Sequence, residues 1–135
     1  MNISRLLFPL SVSAIFGFGC SNGINVRIEK TPESITAHVE TMGEYPTTVK
    51  RICLTDVGKN LVIADFVAGK PPTQIHKIKL KLGNNTPADC FPEYDIYDIL
   101  VPKGNSPFFI EKGRRYLLQI WDGKNIKNDV FLQFD

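Results

Sequence analysis

Ile75-His76-Lys77-Ile78-Lys79-Leu80-Lys81-Leu82 alternates between apolar and basic side chains. Ile78, Leu80 and Leu82 fall on one phase, and Lys77, Lys79 and Lys81 on the other. A period of two predicts a strand with one face buried and one charged face in water. Gly83-Asn84-Asn85 then supplies turn residues. The same pattern runs outward in both directions. Ile24 to Glu29 and Ile35 to Glu40 alternate, with a break at Thr31-Pro32-Glu33-Ser34. Val49 to Thr55 and Leu61 to Val67 flank the turn Val57-Gly58-Lys59-Asn60, which predicts a hairpin. Pro71-Pro72 stops the chain before the Lys-striped strand. Ile96 to Val101 is a further strand, ended by Pro102-Lys103-Gly104-Asn105. Tyr116 to Trp121 and Val130 to Phe134 predict a final hairpin across Asp122-Gly123-Lys124-Asn125. About seven or eight short strands, closely spaced turns and no amphipathic helix predict an all-β fold, a single antiparallel β-sandwich over residues 24–135.

The chain has 135 residues, the size of one domain, which excludes a two-domain enzyme. Its 16 Lys+Arg against 14 Asp+Glu leave too little basic excess for an electrostatic nucleic-acid binder. The 43% hydrophobic content argues against global disorder. No internal repeat or interdomain linker is visible.

Phe109-Ile110-Glu111-Lys112-Gly113-Arg114-Arg115-Tyr116-Leu117-Leu118-Gln119-Ile120 resembles the turn into a late strand of fibronectin-III and immunoglobulin-like domains. The resemblance implies a corner role for Tyr116, with its ring packed and its hydroxyl bonded to the backbone. The alternative is a half-buried strand tyrosine.

Residues 1–19 hold no acidic residue. Arg5 precedes an apolar run from Leu6 to Phe18, long enough for a secretory signal and too short for a stable membrane span. Gly17-Phe18-Gly19-Cys20 resembles the lipobox of bacterial lipoproteins. That resemblance implies cleavage before Cys20, a diacylglycerol on its sulfur, and acylation of the new N-terminus with a fatty acid such as palmitate. Ser21, rather than Asp, implies the outer membrane, with the protein facing the periplasm. Residues 20–23 then form a lipidated cysteine and a polar tether. The alternative is a soluble secreted protein with Cys20 merely near the cleavage site.

With Cys20 assigned to lipid, Cys53 and Cys90 remain. An even pair in an oxidising compartment reads as a disulfide, worth roughly 4 kcal/mol for a loop of this length. The alternative is two buried free thiols. No CxxC occurs, and His38 and His76 show no ligand spacing to either cysteine, so no metal or cofactor is expected there.

No GxSxG, HExxH or P-loop occurs. His38 and His76 read as exposed strand histidines, and the chain is not expected to be an enzyme. Asp89, Glu93, Asp95 and Asp98 are the best group for a hard cation. They lack the order of an EF-hand loop, and they read as a solvated acidic loop. Lys77, Lys79 and Lys81 are candidates for contact with an acidic protein or anionic glycan, together with Lys50, Arg51, Lys112, Arg114 and Arg115. The alternative is that lysines on an edge strand block sheet-to-sheet aggregation. Tyr45, Phe91, Tyr94, Tyr97 and Phe108 sit near turns, where aromatic residues can anchor a protein interface, although some must be core.

The order of features resembles the small immunity lipoproteins of type VI secretion systems. The shared pattern is a lipoprotein signal, an early alternating strand, Ile52-Cys53-Leu54, the strand Lys77 to Leu82, Cys90-Phe91-Pro92-Glu93-Tyr94, the Gly113 to Ile120 strand and a terminal strand. The resemblance implies an anchored protein that binds and neutralises a toxin delivered to the periplasm. The other expectation is a structural outer-membrane lipoprotein of a secretion or envelope assembly.

Overall fold

Alternation of apolar and polar residues gives almost every strand one face for a core and one for water. The computed structural model describes residues 24–41, 48–69, 75–104, 106–123 and 127–135. The leader 1–19, Cys20, the tether and Tyr45 lie outside them. Strands β1 (Ile24–Lys30), β2 (Ser34–Thr41) and β5 (Lys77–Lys81) form an antiparallel sheet in the order β1-β2-β5. Strands β3 (Val49–Asp56), β4 (Leu61–Ala68), β7 (Tyr97–Val101), β9 (Arg115–Asp122) and β10 (Lys127–Gln133) form a second sheet in the order β10-β9-β3-β4-β7. Val26, Ile35, Val39, Ile78 and Leu80 of the first sheet share one buried cluster with Ile52, Leu54, Phe66, Leu118 and Ile120 of the second. The sheets are therefore the two layers of a sandwich.

The strand order matches an immunoglobulin-like domain in part. The first, second and fifth strands make one sheet, and the last two lie together beside the third in the other, but β7, which follows β5 in the chain, is added at the β4 edge. The described residues hold more strands than expected, ten rather than seven or eight. Two of the additions are β6 (Gly83–Asn85) and β8 (Phe108–Ile110), which pair with each other. Gly83-Asn84-Asn85 has turn composition, and only its pairing with Phe108–Ile110 makes it a strand. A short helix, α1 (Pro87–Cys90), follows, with the Thr86 hydroxyl accepting from the Asp89 N–H and Pro87 in its first turn.

Tyr116 is the corner residue. It is 2% exposed, and its hydroxyl oxygen accepts from the Glu111 N–H at 2.8 Å. Gly113 makes the turn between them, at φ +81°, a conformation side chains disfavour. Its N–H donates to the Phe134 carbonyl at 2.7 Å, tying the corner to the residue that follows β10. Tyr116→Phe is expected to cost about 1 kcal/mol, because it removes one part-buried hydrogen bond and keeps the packed ring. Urea titration with an unchanged m-value checks this.

The expected Cys53–Cys90 disulfide is not formed, and both thiols are free and buried. The period of two explains why. Ile52 and Leu54 enter the core, so Cys53 between them points to the opposite face of the sheet, in register with Asp65 and Gln119. Cys90, in α1, packs in the core on the inner side. A whole sheet separates the two sulfurs. Burial pushes the Cys90 thiol up to about 12 and the Cys53 thiol up as well, so both are expected to resist alkylation until the protein unfolds. A disulfide would make the two serine variants equally unstable. Free thiols predict asymmetry instead: Cys90→Ser should lose about 1–3 kcal/mol for a hydroxyl placed in an apolar core, and Cys53→Ser less. Denaturant midpoints of the two single variants decide between them.

At the far end of β3, Asp56 is 4% exposed and is held by Arg114. Arg114 Nε and Nη2 donate to its two carboxylate oxygens at 2.9 and 3.1 Å, and the Lys59 N–H adds a third bond. These bonds hold the Asp56 carboxyl below its ordinary range, with Arg114 the main cause. A depressed folded value stabilises the fold above the unfolded value and is lost as pH falls through the folded one. Stability should therefore drop below about pH 4. Asp56→Asn should be weaker near neutrality and flatter on the acid side, which urea midpoints measured across pH will show.

Candidate protein-binding face

The outward side of the five-stranded sheet is built from strand register. One row across it is Lys127, Trp121, Arg51, Val67 and Asp98. The next is Asp129, Gln119, Cys53 and Asp65. The third is Phe131, Leu117, Thr55 and Val62. Rows lie about 7 Å apart, two residues along each strand. The inward phase of the same strands is the core, so these side chains lie on the outer face, where Cys53 and Asp65 are covered by their neighbours and the others reach water in part or fully.

Arg51 is fixed at the centre. Its Nε and Nη2 donate to Asp65 Oδ1 and Oδ2 at 2.9 and 2.7 Å. This bidentate bond holds the guanidinium 5.1 Å above the Trp121 ring. Lys127 Nζ approaches the same ring at 6.0 Å. Lys50, Arg51, Val67 and Trp121 line a shallow hollow. In the third row, Arg115 lies 4.2 Å over the Phe131 ring, which remains 53% exposed. Val62 is also exposed, and Leu117 half-buried. The face thus carries two aromatic rings, each under a cation, beside a short apolar row.

The candidates from sequence are distributed differently. Lys77, Lys79 and Lys81 are exposed on the outer face of the other sheet. Arg51 and Arg114 are engaged with Asp65 and Asp56, and Arg115 stacks on Phe131. The basic residues therefore do not form one patch. Among the aromatics proposed as anchors, Phe91, Tyr97 and Phe108 are core, and Tyr94 packs half-buried against it. Tyr97 donates its hydroxyl to the Val49 carbonyl at 2.7 Å, inside the sandwich. His76 is exposed, while His38 Nε2 lies 2.7 Å from Glu29 Oε1. Asp89, Asp95 and Asp98 are exposed and Glu93 half-buried. No group of three or more metal-ligating side chains occurs among the described residues. Among those residues, too, no helix is long and apolar enough to cross a membrane.

Trp121, Phe131, Leu117 and Val62 escaped the sequence reading, although part of the signal was present. Once Tyr116, Leu118 and Ile120 are assigned inward, Leu117 and Trp121 must point out. The register that gathers them with Phe131 and Arg51 is not local. In comparison with known proteins, no family model matches this chain, and no curated protein matches it either.

Proposed function

We propose that this chain is a protein-binding lipoprotein, anchored at the outer membrane through Cys20 and facing the periplasm. In this reading it acts as an immunity protein that binds and neutralises a type VI secretion toxin. The observation that carries the binding reading is the Trp121–Arg51–Phe131 face. Trp, Arg and aromatic residues are the side chains that dominate protein interfaces. Here the Asp65 carboxylate orients Arg51 before any partner arrives, which reduces the ordering cost of binding. The lipid anchor and the toxin rest on the resemblances of the leader and of the strand and cysteine order. The function asks for no chemical step: an occupied face occludes the toxin's working surface.

The test is capture of partners from periplasmic extract by the tagged full chain, including products of adjacent genes. One stoichiometric toxin-like partner, with rescue of cells that express it in the periplasm, supports the immunity reading. Capture of envelope or secretion-machine subunits would replace it with the structural one. Loss of capture in a folded Trp121→Ala variant ties either result to this face.

A further inference from the structure

The outer edge of β5 is a second surface, on the other sheet from the Trp121 face. β5 is the outer strand of its sheet. Its ladder fixes which backbone groups face out. The Leu82 N–H donates to the Glu33 carbonyl at 2.9 Å, and the Val39 N–H donates to the His76 carbonyl at 2.8 Å. Antiparallel alternation then turns the backbone of Ile78 and Leu80 toward β2 and that of Lys77, Lys79 and Lys81 away from it. Lys81 bears this out. Its N–H donates to Asn85 Oδ1 at 2.8 Å, and its carbonyl accepts from Asn85 Nδ2 at 2.9 Å. The Asn85 amide, 1% exposed, supplies the donor and acceptor that a neighbouring strand would. It closes the edge at Lys81 and leaves the outward N–H and C=O groups of Lys77 and Lys79 without a backbone partner among the described residues.

The side chains on this edge select what can pair with it. A strand added beside β5 places alternate residues directly opposite Lys77 and Lys79 on the solvent face. A second copy of β5 would bring lysines against lysines, so self-pairing is opposed. Carboxylates at every second position meet opposite charge instead. We propose that the β5 edge accepts an extended acidic segment of another protein as an added strand. Main-chain bonds at Lys77 and Lys79 supply the pairing, and Asp or Glu at alternate positions supplies the selectivity.

The probe is a blocked peptide of alternating glutamate and valine, with a lysine–valine counterpart and a scrambled peptide of the same composition as controls. The full chain in detergent micelles is titrated at low salt, and amide exchange is read residue by residue. The expected result is binding of the alternating acidic peptide only, with new protection at the Lys77 and Lys79 amides and none at Ile78 or Leu80, which already face β2. Lys79→Glu should weaken binding about tenfold or more, since attraction becomes repulsion. Lys79→Pro removes an outward N–H without touching the β2 ladder, and should abolish binding while circular dichroism shows a folded protein. Three outcomes would overturn the proposal. Absence of acidic-peptide binding would leave the lysines as guards against aggregation. Equal binding of the scrambled peptide without amide protection would mean charge adhesion alone. Concentration-dependent self-association through this edge would mean that a second copy is the occupant.

Discussion

Phe91→Ala is expected to destabilise the protein by about 3–5 kcal/mol. Phe91 is 2% exposed and sits where α1 ends. Its ring lies 5.5 Å from Phe66 and 5.5 Å from Tyr97, the latter edge-on at 85°. It therefore joins β4, β7 and the connection between them. Truncation removes the buried ring and leaves a cavity that two strands of one sheet cannot easily close, because their ladder holds them. It also removes the packing that sets Tyr97, whose hydroxyl reaches the Val49 carbonyl. A domain of this size is typically stable by only about 5–15 kcal/mol, so the variant should sit close to unfolding. Phe109→Ala is the control. Phe109 is 56% exposed, and its loss should stay within about 0.5 kcal/mol. Urea denaturation of the two variants measures both effects, and comparable losses would mean that the connection between β5 and β9 is not packed as described.

Trp121→Ala is expected to weaken partner binding by about 2 kcal/mol or more, roughly a 30-fold rise in Kd, with the fold unchanged. The ring is half-buried on the open face, between Arg51 and Lys127. Its removal takes away the contact surface and releases Arg51 from one of its two restraints. Arg51→Lys should also weaken binding, because a lysine cannot make the bidentate bond to Asp65 that holds the charge over the ring. Lys112→Ala, at an exposed position away from this face, should bind as the wild type does. Titration against the captured partner distinguishes these cases. Equal affinities for all three variants would move the interface off this face.

Much of the architecture was legible along the chain. The Lys-striped strand and the β3–β4 and β9–β10 hairpins follow from local pattern, because a period of two and a turn residue act over a few neighbouring positions, while the corner role of Tyr116 came from the resemblance of its turn to fibronectin-III and immunoglobulin-like domains. β6 and β8 were not legible, since three residues carry no measurable period and exist as strands only through each other. The candidate site was read less well. Phe91, Tyr97 and Phe108 are apolar residues near turns, and nothing local separates a core aromatic from an interface one.

Local pattern along the chain therefore set the all-β class, the phase of the longer strands and most of the turns between them. The assembled fold decided the cross-strand neighbours. It placed Cys53 and Cys90 on opposite sides of a sheet, paired Arg51 with Asp65 over the Trp121 ring, and set the Asn85 amide against the β5 edge. The physical reason is range. A side chain's phase is fixed by the residue beside it, whereas its partners are fixed by the register of strands distant in the chain, and that register is settled by the packing of the whole core.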